Sequence, residues 1–96
     1  MTVARFARVE GIRVESIGDE WAAWSPLSGE THVLNHESAA ILEVLDESGP
    51  LQVSQAAGQL AGDVRAAAAA LETPVRLALL ALEHAGFVLR LDNAGP

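Results

Sequence analysis

The chain has 96 residues, half of them apolar, which suits one domain with a small core. It contains no cysteine, so disulfide bonds and thiolate metal sites are excluded. Its six basic residues are all arginines and stand against thirteen carboxylates, for a formal net charge of −7. A nucleic-acid surface needs a clustered positive field, so this scatter argues against nucleic acid as a partner.

The first residues carry arginines but no apolar segment of the kind found in secretory signals. No apolar run approaches the roughly 20 residues that span a bilayer. We therefore expect a cytoplasmic protein without a membrane partner. Residues 1–11 are weakly patterned and are predicted to form a flexible N-terminal arm, and residues 92–96 are predicted to form a disordered tail.

Apolar and charged residues alternate from residue 12, as is typical of a strand. Gly18 marks a turn, and a second strand is predicted over 20–25. Pro26 lacks the N–H that a ladder requires, so it ends that strand. A third strand is predicted over 30–34, which makes the three an antiparallel meander.

The switch from strand to helix is marked by Asn35, because asparagine is among the best helix N-caps. The helix that follows is terminated by Gly49 and Pro50. A second, shorter helix is predicted over 51–61.

Downstream, Pro74 leaves two interpretations open. Either a final helix begins at Pro74 after a separate alanine-rich helix, or one long helix runs from Asp63 and is kinked at Pro74. Gly86 ends the last helix, and 87–91 is predicted to be a terminal strand. The order predicts an α+β domain over 12–91, winged-helix-like, with a three-stranded antiparallel sheet followed by three helices and a short C-terminal strand.

The sequence contains no recognisable catalytic motif. Its three histidines, His32, His36 and His84, lack the spacing of a metal site, and no phosphate-binding glycine loop or nucleophile motif is present. We therefore predict a non-catalytic protein without a cofactor or a metal.

The two tryptophans, Trp21 and Trp24, are three positions apart on a predicted strand and so point to opposite faces. They cannot form one stacking platform for nucleic acid. We predict that one packs under the helices, while the other covers the far face of the sheet or contacts a partner.

The last predicted helix is apolar on two faces, although one face suffices to seal a core of this size. The second face predicts burial against a homodimer mate or a docked peptide, unless the helix is wedged between the sheet and the other helices. The two stripes are Val75, Leu79 and Leu82, and Leu77, Leu80 and Ala81 with His84.

From about Arg13 to Leu91, the order of features resembles the PqqD-like family. The strongest part is WSPLSGETHVLNHESAAILEVLDESGP, with a strand that ends in LN and a helix that contains SAA and IL. Downstream, VSQAAGQLAG and LLALEHAGFVLRL stand where that family has its second and third helices. The segment SPLSGETHVLN is most similar to the corresponding segment of the PqqD-like proteins of HPr-rel-A gene systems.

The resemblance implies a bacterial peptide chaperone, or precursor-peptide recognition element. Such a domain binds the leader of a ribosomally synthesised precursor peptide as an added strand and presents it to a maturation enzyme. The implied partners are the precursor peptide and a peptide-modifying enzyme or HPr-kinase-related protein of the same gene cluster. The peptide-binding residues predicted in this way are Glu30, Thr31, His32, Val33, Leu34, Arg76, Leu77, Leu80, Ala81 and His84.

Two other functions stay open. One is a winged-helix regulator that binds DNA or a protein, which the net charge and the presence of Arg76 as the only base in 74–85 oppose. The other is a dimerising scaffold, a homodimer that uses the same strand edge and helix. An edge strand with few charges, such as THVL, tends to pair with another chain. Both the peptide-binding and the dimer hypotheses provide a partner that covers it.

Overall fold

The computed structural model describes residues 4–62 and 65–92, and within these residues the chain has two small antiparallel sheets and three helices. The strands are β1 (Ala4–Arg8), β2 (Arg13–Ile17), β3 (Glu20–Trp24), β4 (Thr31–Leu34) and β5 (Val88–Asp92). The helices are α1 (His36–Ser48), α2 (Val53–Ala61) and α3 (Arg65–Ala85). The predicted α+β class, with a three-stranded antiparallel sheet, three helices and a C-terminal strand, is confirmed.

The three-stranded sheet has the order β2-β3-β4, so the predicted meander is present. Trp24 lies opposite Arg13 on β2 and opposite Thr31 on β4. Because β3 is the central strand, both β2 and β4 lie at edges of this sheet.

Helix α1 begins and ends where the sequence predicts. The Asn35 side chain accepts a hydrogen bond from the Ser38 N–H at 2.8 Å. At the other end, Gly49 has a φ of 76° and its N–H donates to the Leu45 carbonyl at 3.0 Å. Only glycine adopts this φ without steric cost, so it stops the helix. The cap also joins β4 to α1 directly, which makes their relative position well determined.

Of the two interpretations of Pro74, the single long helix agrees with the structure. Helix α3 runs from Arg65 to Ala85 with Pro74 inside it, while the predicted start at Asp63 lies outside the described residues. The stripe predicted to seal the core is buried, as Val75, Leu79 and Leu82 show.

The prediction of a flexible arm over 1–11 is wrong from residue 4 onwards. Strand β1 pairs with β5 along its whole length. On its other side, the Phe6 N–H donates to the Leu51 carbonyl at 2.7 Å, and the Leu51 N–H donates back at 3.0 Å. Phe6 and Val9 both belong to the core. The partner strand lies about eighty residues away along the sequence, so no local pattern reveals this pairing.

At the other end of the chain, the prediction of a disordered tail over 92–96 is wrong at residue 92. Asp92 is the last residue of β5 and pairs with Ala4. Residues 93–96 lie outside the described residues. The folded domain therefore includes Ala4 to Arg8 and Asp92 as well as the predicted range 12–91.

The core lies where both sheets meet the three helices. Ser25 is a fully buried polar residue beside it: its Oγ donates to the Gly86 carbonyl and accepts from the Leu27 N–H at 3.2 Å. These bonds join the turn before β4 to the end of α3. The apolar core residues are Phe6, Val9, Ile12, Ala23, Leu34, Ile41, Leu42, Leu45, Leu51, Ala56, Ala57, Val75, Leu79, Leu82, Phe87 and Val88.

We predict that Phe6→Ala lowers the free energy of unfolding by about 3–5 kcal/mol, because it empties a buried aromatic site between β5 and Leu51. Urea unfolding measures this loss. Leu89→Ala is the control, since Leu89 lies on the outer face of the same small sheet and is 48% exposed. Equal losses in the two variants would contradict the placement of β1 in the core.

Candidate functional site

The strand that was predicted to bind a peptide lies at an edge. Strand β4 pairs with β3 on one side, and none of the described strands pairs with it on the other. The strand is short, and its residues Thr31 and Val33 are both exposed, Val33 to 68%. A row of backbone groups therefore faces solvent along this edge.

The alternation of hydrogen-bonded and non-hydrogen-bonded pairs between β3 and β4 determines which backbone groups of β4 face solvent. The Ser25 N–H donates to the Glu30 carbonyl at 3.2 Å, so this pair occupies a hydrogen-bonded position. Antiparallel ladders alternate between bonded and non-bonded pairs, so His32 bonds to β3 while Thr31 and Val33 do not. The N–H and C=O groups of Thr31 and Val33 consequently point away from the sheet.

The side chains of β4 alternate between its two faces. His32 lies opposite Ala23, which is fully buried, and Leu34 lies opposite Trp21, so both face the helices. Thr31 and Val33 face the opposite surface. An added strand would thus have one face towards α3 and one towards solvent.

Beside this edge, a groove of about 220 Å³ separates β4 from the second half of α3. Small side chains form its helix wall, with Ala81 and Ala85 above the buried Leu82. The start of α1 closes one end through Asn35 and Ser38. The remaining lining residues are His32, Val33 and Leu34 of β4.

Among the residues of α3 that were predicted to bind the peptide, Ala81 lines this groove. At about 100° per residue, Leu77 and His84 lie within about 60° of Ala81 around the helix. Leu80 lies about 100° away and Arg76 about 140° away. Leu77 is 61% exposed and Leu80 is 38% exposed. Leu80 and Arg76 therefore face away from the groove, whereas Leu77 and His84 lie nearer to it without lining it.

His32 stands at the floor of the groove. Its Nε2 is buried without a hydrogen-bond partner, although the Glu30 carboxylate lies 3.5 Å away. Its ring meets Phe87 edge to face, with centroids 5.4 Å apart. The residue therefore packs on the core and places its buried Nε2 next to the Glu30 carboxylate. Glu30 itself is well exposed at the start of the strand.

The sequence did not indicate Asn35, Ser38 or Ala85 as residues of the groove. Asn35 was recognised as a helix cap, and the cap bond to Ser38 is what holds both residues at the end of β4. An N-cap that directly follows an edge strand is the signal that could have found them. Ala85 carries no such signal, because its position depends on how α3 packs.

The tryptophans lie on opposite faces, as predicted. Trp21 packs partly against the core, and its Nε1–H donates to His36 Nδ1 at 3.2 Å. Trp24 is 36% exposed on the outer face, beside a shallow depression of about 380 Å³ that Arg13 and Thr31 also line.

A larger concavity, of about 640 Å³, lies between α1 and the sheet. Its charged residues are Arg8, Glu43 and Asp46, and the Arg8 guanidinium donates to the Leu42 carbonyl at 3.4 Å. In the described ranges, no three side chains of the metal-binding types come together. Nor is any helix of 4–62 or 65–92 long and apolar enough to cross a bilayer.

No protein-family model matches the chain, and neither does any curated protein or solved structure. The resemblance to the PqqD-like family therefore stays a prediction that rests on the motifs.

We predict that proline is tolerated at Val33 but not at His32. Proline removes one N–H, which points outwards at Val33 but bonds to β3 at His32. Relative to alanine at the same position, His32→Pro should cost at least about 1–3 kcal/mol more than Val33→Pro does. Urea unfolding of the four variants measures this difference. A reversed order would show that the ladder has the opposite phase.

Proposed function

We propose that the chain is a non-catalytic peptide-binding adaptor that captures an extended segment of a partner as a fourth strand beside β4. The observation that supports this most strongly is the edge of β4, which none of the described strands pairs with, next to a groove with a helix wall. Strand addition needs both features, because main-chain hydrogen bonds supply affinity and side-chain pockets supply specificity.

The edges of the two sheets are not equally suited to a partner. Strand β2 carries Arg13 and Glu15, and charges at an edge discourage pairing with another chain. In β5, Arg90 is held by Glu83 at 2.8 Å and lies over the Phe6 ring. Strand β4 reads THVL and has neither a formal charge nor a proline. It is therefore the edge that favours pairing.

The energetics require the groove as well as the edge. Thr31 and Val33 offer four backbone groups, and each net hydrogen bond contributes about 0.5–1.5 kcal/mol. Their sum corresponds to a dissociation constant of millimolar order. Micromolar binding needs about 4 kcal/mol more, which side chains buried against Ala81 and Ala85 would supply.

The resemblance to the PqqD-like family leads us to extend the proposal to the partner. The captured segment would be the leader of a ribosomally synthesised precursor peptide. The adaptor would present it to a maturation enzyme in the cytoplasm. The small side chains along the groove suit this role, because they leave room for varied side chains of a client.

A second copy of the chain is the competing occupant of the edge. Pairing of β4 with β4 would use the same outward groups of Thr31 and Val33. Sedimentation over a range of concentrations distinguishes the two cases. An adaptor stays monomeric until peptide is added, whereas a dimerising scaffold self-associates without it.

We predict that Ala81→Glu weakens peptide binding by at least about tenfold, because it places a carboxylate in the groove. Leu80→Glu is the matched control and should change affinity by less than about threefold, since Leu80 faces away. Fluorescence anisotropy measures both, with labelled N-terminal segments of the short proteins encoded beside this gene. Far-UV circular dichroism verifies that both variants fold.

The opposite result, with Leu80→Glu weakening binding and Ala81→Glu leaving it unchanged, would place the peptide on another face of α3. Failure of every such segment to bind would refute the proposed function itself.

A further inference from the structure

A second cavity, distinct from the β4 groove, lies where the three helices meet. Its volume is about 290 Å³, and its accessible wall is entirely apolar. Ile41 and Val75 form its floor and are 0% and 3% exposed. The other apolar walls come from Ala40 of α1, Leu60 of α2, and Leu71 and Pro74 of α3.

This cavity suits an apolar side chain. An apolar cavity of about 150 Å³ is enough to hold benzene in another protein, so this one has room for a leucine or phenylalanine side chain. Water gains little there, because a buried water needs two to four polar partners. Removing a leucine side chain from water is favourable by about 1.5–3 kcal/mol.

The cavity and the β4 groove lie along the same side of α3. The cavity ends at Pro74 and the groove at Ala81. At 100° per residue, Pro74, Leu77 and Ala81 lie within about 60° of one another around the helix. Leu77 is 61% exposed and lies between the two. Seven residues of helix measure about 10 Å, which an extended peptide covers with about three residues.

The charges along this route have one sign. Glu37 stands at the mouth of the cavity, and Glu30 stands at the start of β4. Neither carboxylate is paired with an arginine in the described residues, and the route carries no lysine or arginine of its own. With a net charge of −7 on the chain, a basic segment is the complementary occupant.

We infer that the partner peptide is held at two points. Its extended segment pairs with β4, and a large apolar side chain about three residues beyond that segment enters the cavity between the helices. A basic residue next to this anchor faces Glu37. This inference rests on the proposed function and adds to it the chemical class of the client: a basic peptide with a spaced apolar anchor.

The probe is a labelled synthetic peptide with a palindromic sequence, so that it can pair with β4 in either a parallel or an antiparallel orientation. Its centre is Thr-Val-Thr-Val-Thr, followed on each side by two serines, one leucine and one lysine. A second peptide has alanine in place of both leucines, and a third has glutamate in place of both lysines. Anisotropy titrations with the wild-type chain should show a loss of about tenfold or more for the alanine peptide, and weaker binding for the glutamate peptide.

The protein side is tested with Ala40→Phe, which fills the cavity. Ala39→Phe is the matched control, because Ala39 precedes it on the same helix and lines the concavity between α1 and the sheet, which Ala40 also lines, but not the cavity between the helices. Leucine and alanine peptides should bind Ala40→Phe with similar affinity, while Ala39→Phe should still distinguish them. If circular dichroism shows that Ala40→Phe does not fold, Ala40→Leu takes its place, and the two peptides on the wild-type chain already decide the matter.

Equal binding of the leucine and alanine peptides to the wild-type chain would overturn the anchor and leave strand addition standing. Discrimination that persists in Ala40→Phe would place the anchor outside this cavity. Tighter binding of the glutamate peptide would overturn the basic character of the client. If none of the peptides binds, strand addition fails together with the anchor.

Discussion

The geometry of the groove depends on the bond between the buried hydroxyl of Ser25 and the carbonyl of Gly86. This contact joins residues 61 positions apart, and it seats the turn before β4 against the end of α3. A Cβ on Gly86 would lie 3.2 Å from the Ser25 oxygen, so the glycine permits the close approach, and its φ of 89° allows the chain to turn there. Both walls of the groove are thereby placed by one junction, while the outer edge of β4 is left unpaired by the strands of 4–62 and 65–92.

The pairing of β1 with β5 also helps to fix the position of α3. It brings the two ends of the described chain together and inserts Phe6 next to the segment that enters α2. Val9 then bonds to the Phe87 carbonyl at 3.0 Å, directly after the glycine that ends α3. The far end of α3 is therefore held by two sheets. Burial in so small a domain is limited, so these contacts matter more than they would in a larger one.

Local signals in the sequence were sufficient for most of the elements. Asn35 and Gly49 cap the two ends of α1 through side-chain and backbone hydrogen bonds that span only three or four residues. The ends of this helix can therefore be predicted from the sequence without knowing the rest of the fold. The opposite orientation of Trp21 and Trp24 follows from strand periodicity alone. The edge strand of the candidate site was found in the same way, since THVL stands between a turn and a cap.

The sequence by itself therefore determined most of the elements, the caps of α1 and the faces of the three predicted meander strands, because those properties depend on neighbours a few positions away. Tertiary structure alone decided that residues 4–8 form a strand, since their partner β5 is remote and the pattern around Phe6 is short. It also decided that α3 is continuous through Pro74, because packing of Val75, Leu79 and Leu82 outweighs one missing hydrogen bond. Finally, it decided which side of α3 meets β4. Helical periodicity separates the faces of a helix, but only the packing of remote elements places Ala81 at the groove and turns Leu80 away.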